Sequence, residues 1–192
     1  MKPALQHFDR YAEDYDRWFD THPELYGEQL SVLRSLLPYR GRGLEIGVGS
    51  GRFAAPLGIA YGLDPSVPLL SRAFSRGIEP VQGIGEFLPC RADIFDYVLM
   101  MTVICFMEDL VHPFREAYRV LRPGGTLVIG FIETGGELAL QERDRSTPSR
   151  FLHYAGFKST REVMTTLAME RFSEISLKGN LHGLFFVTGQ KE

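Results

Sequence analysis

Two cysteines, one tryptophan and no long apolar run set the first limits on this chain. Cys90 and Cys105 are too few for a disulfide framework, and neither stands at a metal-site spacing. The longest apolar run, residues 97–107 (YVLMMTVICFM), falls well short of the roughly 20 residues that span a bilayer. An excess of one charge is missing too. Lys and Arg number 21 against 24 Asp and Glu, a formal charge of −3, which gives no broad pull toward nucleic acid or an anionic membrane. The opening residues, MKPALQHFDRYAEDYD, are too polar for a secretory signal. The resulting expectation is a cytoplasmic single domain of 192 residues, long enough for one sizeable core.

What the chain does contain is an ordered alternation. Apolar and aromatic residues from Phe8 to Phe19 recur at helical spacing, which predicts one amphipathic helix over residues 4–20. A second helix runs to Leu37, ended by Pro38 and YRGRG. Strand and helix patterns then alternate. Strands are predicted at GLEIGV, residues 59–64, IEPVQG, residues 95–104 and residues 126–133, with helices between them, the last stopped by Pro123-Gly124-Gly125. Such alternation predicts a doubly wound, mostly parallel α/β sheet. Residues 134–158 read as polar and irregular. A helix follows with Ser159 as N-cap, then two strands around NLHG that predict an antiparallel hairpin at the sheet edge.

The chemistry concentrates at LEIGVGSGRFA, residues 44–54. Gly47, Gly49 and Gly51 follow the first strand, where open parallel sheets bind ligands. The spacing is G-x-G-x-G, and Arg52 stands where a dinucleotide fingerprint needs its third glycine. No Gly-Lys-Ser/Thr ending follows, so a phosphate loop is excluded. Glu45 would repel a pyrophosphate and suit a cation. Asp64, 19 residues beyond Glu45, ends the second strand, where a carboxylate accepts hydrogen bonds from ribose hydroxyls. A ribonucleoside carrying positive charge fits these residues, and S-adenosylmethionine is one.

At this point the chain resembles the class I S-adenosylmethionine-dependent methyltransferases, of the small-molecule, quinone-biosynthesis type. EIGVGSG matches the family's acidic-x-G-x-G-x-G loop. LDPSVPLLSRA, VQGIGEFLP, FDYVLMMTVICFMED and REAYRVLRPGGTLVI are similar to its later motifs, in order, and FDRYAEDYDRW to its N-terminal lid. The resemblance covers essentially the whole chain. It implies a seven-stranded Rossmann-like sheet and four segments: a helical lid (1–40), a cofactor-binding core (41–133), a cap (134–158) and a C-terminal helix and hairpin (159–192). It also implies methyl transfer from S-adenosyl-L-methionine to a small-molecule acceptor. Beside Glu45, the glycines and Asp64, it points to Pro65, Gly85, Glu86 and Thr102 as cofactor-binding. The lid adds Tyr11 and Tyr15, against the plainer reading that both pack in the core. One position departs: Ile84 stands where the family carries an acid facing adenine. No metal is expected, and no residue pair announces a catalytic base. Two other readings stay open here, a non-catalytic S-adenosylmethionine-binding protein and a nicotinamide-dependent oxidoreductase. Each histidine reads as structural or exposed, Cys105 and Met100 as core, and Arg119 with Arg122 as a solvated helix face.

Overall fold

The computed structural model describes residues 3–147 and 149–192. Three N-terminal helices, α1 (Pro3–Arg10), α2 (Ala12–Thr21) and α3 (Pro23–Leu36), precede the sheet. Then come β1 (Gly43–Ile46), α4 (Ala54–Leu57), β2 (Tyr61–Asp64), α5 (Val67–Ser75) and β3 (Glu79–Gln82). The second half holds β4 (Phe95–Met101), α6 (Val111–Val120), β5 (Leu121–Ile132), α7 (Glu137–Asp144), α8 (Thr160–Met169), β6 (Phe172–Leu181) and β7 (Leu184–Lys191).

The seven strands lie in the order β3-β2-β1-β4-β5-β7-β6. Strands β1 to β5 pair in parallel, and β7 runs antiparallel to both β5 and β6. The chain winds outward from β1 through β2 to β3, then returns and winds the other way from β4. The order therefore reverses between β1 and β4, and a crevice opens at their carboxyl ends.

Period-two alternation along β4 divides the core. Val98 and Met100 pack on the α6/α8 side with Phe114, Val163 and Leu167. Tyr97, Leu99 and Met101 pack on the other, with Leu33 of α3, Phe53 and Leu70 of α5. Local signals set the helix ends. Ser66 Oγ accepts from the Leu69 N–H at the start of α5, and Ser159 Oγ from the Glu162 N–H at the start of α8.

Three local expectations need correction. The N-terminal helix is broken at Tyr11, whose backbone (φ −116°, ψ 28°) leaves the helical region and separates α1 from α2. The irregular segment 134–158 contains α7 and a short 3₁₀ turn, Leu152–Tyr154. In α7 only Ala139 is buried, so no apolar stripe announced it. Arg119 and Arg122 do not form a solvated helix face. Arg119 pairs with Glu116 and donates to the Leu88 and Cys90 carbonyls, while Arg122 lies in β5 and pairs with Asp96. Cys105 and Met100 are core residues, as read from their apolar run.

Among the described residues, no helix is long and apolar enough to cross a membrane. Phe114, fully buried between α6 and the sheet, is a measure of core packing. Phe114→Ala should lower unfolding free energy by about 3–5 kcal/mol, read by urea denaturation.

Candidate active site

A cavity of about 1080 Å³ fills the crevice. Its floor is the carboxyl end of the sheet, its roof α1, α2 and the segment following β5.

The β1 loop is folded hard over β2. The Gly47 and Val48 N–H groups both donate to the Leu63 carbonyl, at 2.7 and 3.0 Å. Bare backbone is required at two points. Gly47 has φ 76°, and a Cβ there would lie 2.3 Å from Val103. Gly49 has φ 51°, and its Cβ would sit 3.3 Å from the Tyr15 ring. Both glycines line the cavity. Gly51 does not: a Cβ on it would press at 3.2 Å on Ala73 of α5, so this glycine serves the packing of helix against loop.

Asp64 is the polar centre of the wall. Its Oδ2 accepts from the Gly49 N–H and its Oδ1 from the Ser66 N–H, both at 2.9 Å. Burial raises its carboxyl to about 6, against the pull of those two donors. Glu45 is 1% exposed and lies off the wall. Burial holds its carboxyl well above the ordinary range, the Ala54 N–H opposing and the charge of Asp64 adding to it. Its Oε2 has no hydrogen-bond partner among the described residues.

Pro65, Gly85, Glu86 and Thr102 all reach the cavity wall. Thr102 has a left-handed backbone (φ 51°), held by donation of its N–H to the Gly130 carbonyl at 2.7 Å. That conformation costs a non-glycine residue roughly 1–2 kcal/mol, and it turns the chain sharply at the end of β4. Ile84 also lines the cavity, as do the apolar side chains of Leu69 and Met107. Tyr15 is on the wall and Tyr11 is not. Tyr11 packs on His7, ring centroids 4.6 Å apart, under the Arg150 guanidinium. Burial, then the nearby carboxylates of Asp64 and Glu45, push the Tyr15 hydroxyl above its ordinary value, so it stays a neutral phenol.

Residues outside the motif reading complete the enclosure. Phe8, Tyr15, Phe106 and Phe151 form one aromatic cluster, with centroid separations of 5.2 to 5.5 Å. Arg52, the residue in place of a third glycine, donates Nε and Nη2 to the Asp16 carboxylate at 2.8 and 3.1 Å and also grips Asp20. Arg76, which caps the end of α5, joins it on Asp16 at 2.8 Å. Burial opposes ionisation of Asp16, but the hydrogen bonds from Arg52 and Arg76 outweigh it and hold the carboxyl well below the usual range. Helix α2 is thereby tied to the glycine loop. The departure of Arg52 from the glycine pattern was the available signal; its distant acidic partner carried none.

A methyltransferase domain model matches residues 44–129. A crystal structure from Thermotoga maritima, described as an S-adenosylmethionine-dependent methyltransferase and possible histamine N-methyltransferase, superposes with a TM-score of 0.91 at 33% identity, over 98% of this chain and all of that one. The chain belongs to the S-adenosylmethionine-dependent methyltransferases. An uncharacterized protein of Methanocaldococcus jannaschii is 40% identical over 88% of the chain and 82% of its own length. A malonyl-[acyl-carrier protein] O-methyltransferase of Methylococcus capsulatus is 28% identical, over 88% of this chain and 66% of its own length. The expected class I fold, its antiparallel C-terminal strands and dependence on S-adenosylmethionine agree with these likenesses. The quinone-biosynthesis subtype has only loose support, from a demethylmenaquinone methyltransferase of Roseiflexus, 33% identical over 47% of the chain.

In this methyltransferase the Asp16 clamp generates a test. A carboxyl depressed on folding adds stability that is present above its unfolded value near 4 and lost as pH falls through its lower folded value. Arg52→Ala should therefore cost stability throughout neutral pH, by about 2–4 kcal/mol, because it strips two hydrogen bonds from a buried carboxylate. Thermal melts of both proteins at pH 7 check it, with faster proteolysis within α1 and α2 of the variant as the local sign.

Proposed function

We propose that this chain transfers a methyl group from S-adenosylmethionine to a small-molecule acceptor held in the same cavity. The observation that carries the reading is the convergence of Asp64 and the bare backbone of Gly47 and Gly49 on one wall, under an aromatic roof.

The residues present fit the nucleoside. Asp64 offers lone pairs to two ribose hydroxyls. Gly47 and Gly49 leave room for the amino-acid portion at the loop. Pro65 and Ile84 form apolar faces for adenine, with Gly85 and Glu86 at its edge. The acid missing at Ile84 is thus replaced by flat apolar contact. Glu45 acts from within β1 behind the loop rather than as a direct partner. Gly51 and Tyr11 support the site indirectly, one by packing and one by stacking. Thr102 and Tyr15 stand between nucleoside and acceptor.

S-adenosylmethionine supplies a methyl group already activated on a sulfonium. The protein's task is to hold the acceptor atom in line at roughly 3 to 3.5 Å and to exclude water. Segments 1–40 and 134–158 serve as lid and cap for that purpose, around the core of 41–133 and the C-terminal 159–192. The proposed setting is the cytoplasm, with no nucleic acid as substrate.

Calorimetry with S-adenosylhomocysteine tests the reading, with NAD as the control. Saturable binding of NAD and none of S-adenosylhomocysteine overturns it. Asp64→Ala should weaken S-adenosylhomocysteine at least tenfold, about 1.4 kcal/mol, and unchanged affinity in a folded variant removes Asp64 from the site. The carboxylate form of Asp64 is the one that accepts from ribose, so affinity should fall as pH drops through about 6. Between pH 7.5 and pH 5 the expected loss is roughly tenfold. A flat profile over that interval counts against the assignment.

A further inference from the structure

The cavity has a second end. The nucleoside reading uses the wall over β1, β2 and the turn after β3. The remaining floor lies over β4, β5 and β7, where Met101, Ile132 and Leu184 sit side by side, Ile132 paired directly with Leu184. Phe53 and Leu138 close this end, and both pack with Ile132 and Leu184 in one apolar cluster. Its surface is almost wholly hydrocarbon.

Its polar side chains are Gln141 and Glu142, one turn along α7 from Leu138, and Gln29 of α3; Gln141 donates to Glu137 and Glu142 accepts from the Ser149 N–H. Gln29 of α3 lines the cavity one helical turn from Leu25, which lines it too. It is only 6% exposed, and its carboxamide has no hydrogen-bond partner among the described residues. Position is fixed by its neighbour: Glu28 pairs with His182 at 3.5 Å, in the turn between β6 and β7, beside Leu184. Its amide faces the cavity, so a ligand that enters this end displaces water from it and binds best when it returns those hydrogen bonds. An uncharged amide both donates and accepts, so its best partner is a neutral group that does the same.

The charged residues on the wall are already engaged. Asp14 is paired with Arg17 and Arg150. Glu142 accepts from the Ser149 N–H and faces Arg145 at 3.8 Å. Asp64 holds two backbone N–H groups at the other end. An ammonium or carboxylate at the Gln29 end would find apolar side chains and a neutral amide.

We propose that Gln29 recognises the methyl acceptor, and that the acceptor is an uncharged, mainly apolar molecule carrying a hydroxyl group. This rests on the methyl-transfer reading, because it is the nucleoside that fills the first end.

The test measures binding rather than turnover. Trp18 is the sole tryptophan and lines the cavity, so its fluorescence reports occupancy alongside calorimetry. Protein saturated with S-adenosylhomocysteine is titrated with p-cresol, toluene, p-toluate and p-methylbenzylammonium. We expect p-cresol to bind at least about fivefold tighter than toluene and than either charged probe. Gln29→Leu should erase the preference over toluene while leaving S-adenosylhomocysteine affinity within about twofold, and Gln29→Met should do the same if the first variant does not fold. Equal binding of p-cresol and toluene to the unaltered protein, including binding of neither, overturns the proposal. So does a preference that survives both substitutions, or tightest binding of a charged probe. The underlying reading fails separately: a Gln29-dependent p-cresol preference in a protein that never binds S-adenosylhomocysteine upholds recognition by Gln29 and overturns methyl transfer.

Discussion

The two oxygens of Asp64 hold two different parts of the chain, the Gly49 N–H in the β1 loop and the Ser66 N–H at the start of α5. Almost everything about the site follows from that grip. It fixes the glycine loop against the end of β2, and it places a carboxylate in a low-dielectric wall where its charge is hard to support. The strand order adds the other half of the constraint, since reversal between β1 and β4 leaves the crevice uncovered by any crossover. A fold that opens at this point and a carboxylate anchored beside the opening produce a polar centre facing an apolar cavity.

Around that centre the electrostatics are divided by depth. Glu45 and Asp64 are buried carboxylates whose ionisation is opposed by their surroundings. Asp16 is also shielded from solvent, yet two guanidinium groups make its ionised form the stable one. Asp64 has only backbone N–H partners and lies deeper among protein atoms, so its outcome is the opposite. The acidic groups of the crevice floor hold their charge with difficulty, whereas the one beneath the roof is committed to structure.

Much of the fold could be read from the chain itself, because β4 and the second half of β5 are apolar runs and glycine follows α4 and α5. Asp64 and the loop glycines were legible for the same reason: each is tied to a strand end by short-range spacing. What could not be read depends on partners far apart in sequence. The grip of Arg52 on Asp16 joins positions separated by 36 residues. Gln29 is one polar residue on an otherwise ordinary helix, and only the approach of β7 to α3 makes it notable. The break at Tyr11 leaves helical spacing intact on both sides, so periodicity runs straight through it. Helix α7 is polar over most of its length and gave no periodic pattern to find.

Helix α2 is fastened along two edges of unequal character. On one edge Asp16 meets Arg52 and Arg76 largely shielded from solvent; on the other Asp14 meets Arg150 with both side chains substantially exposed. Dissolved ions screen an exposed pair and scarcely touch a buried one. The roof is therefore fastened by a salt-resistant contact at the glycine loop and by a salt-sensitive one at the 149–154 turn. Rising ionic strength therefore loosens one edge of α2 and leaves the other in place.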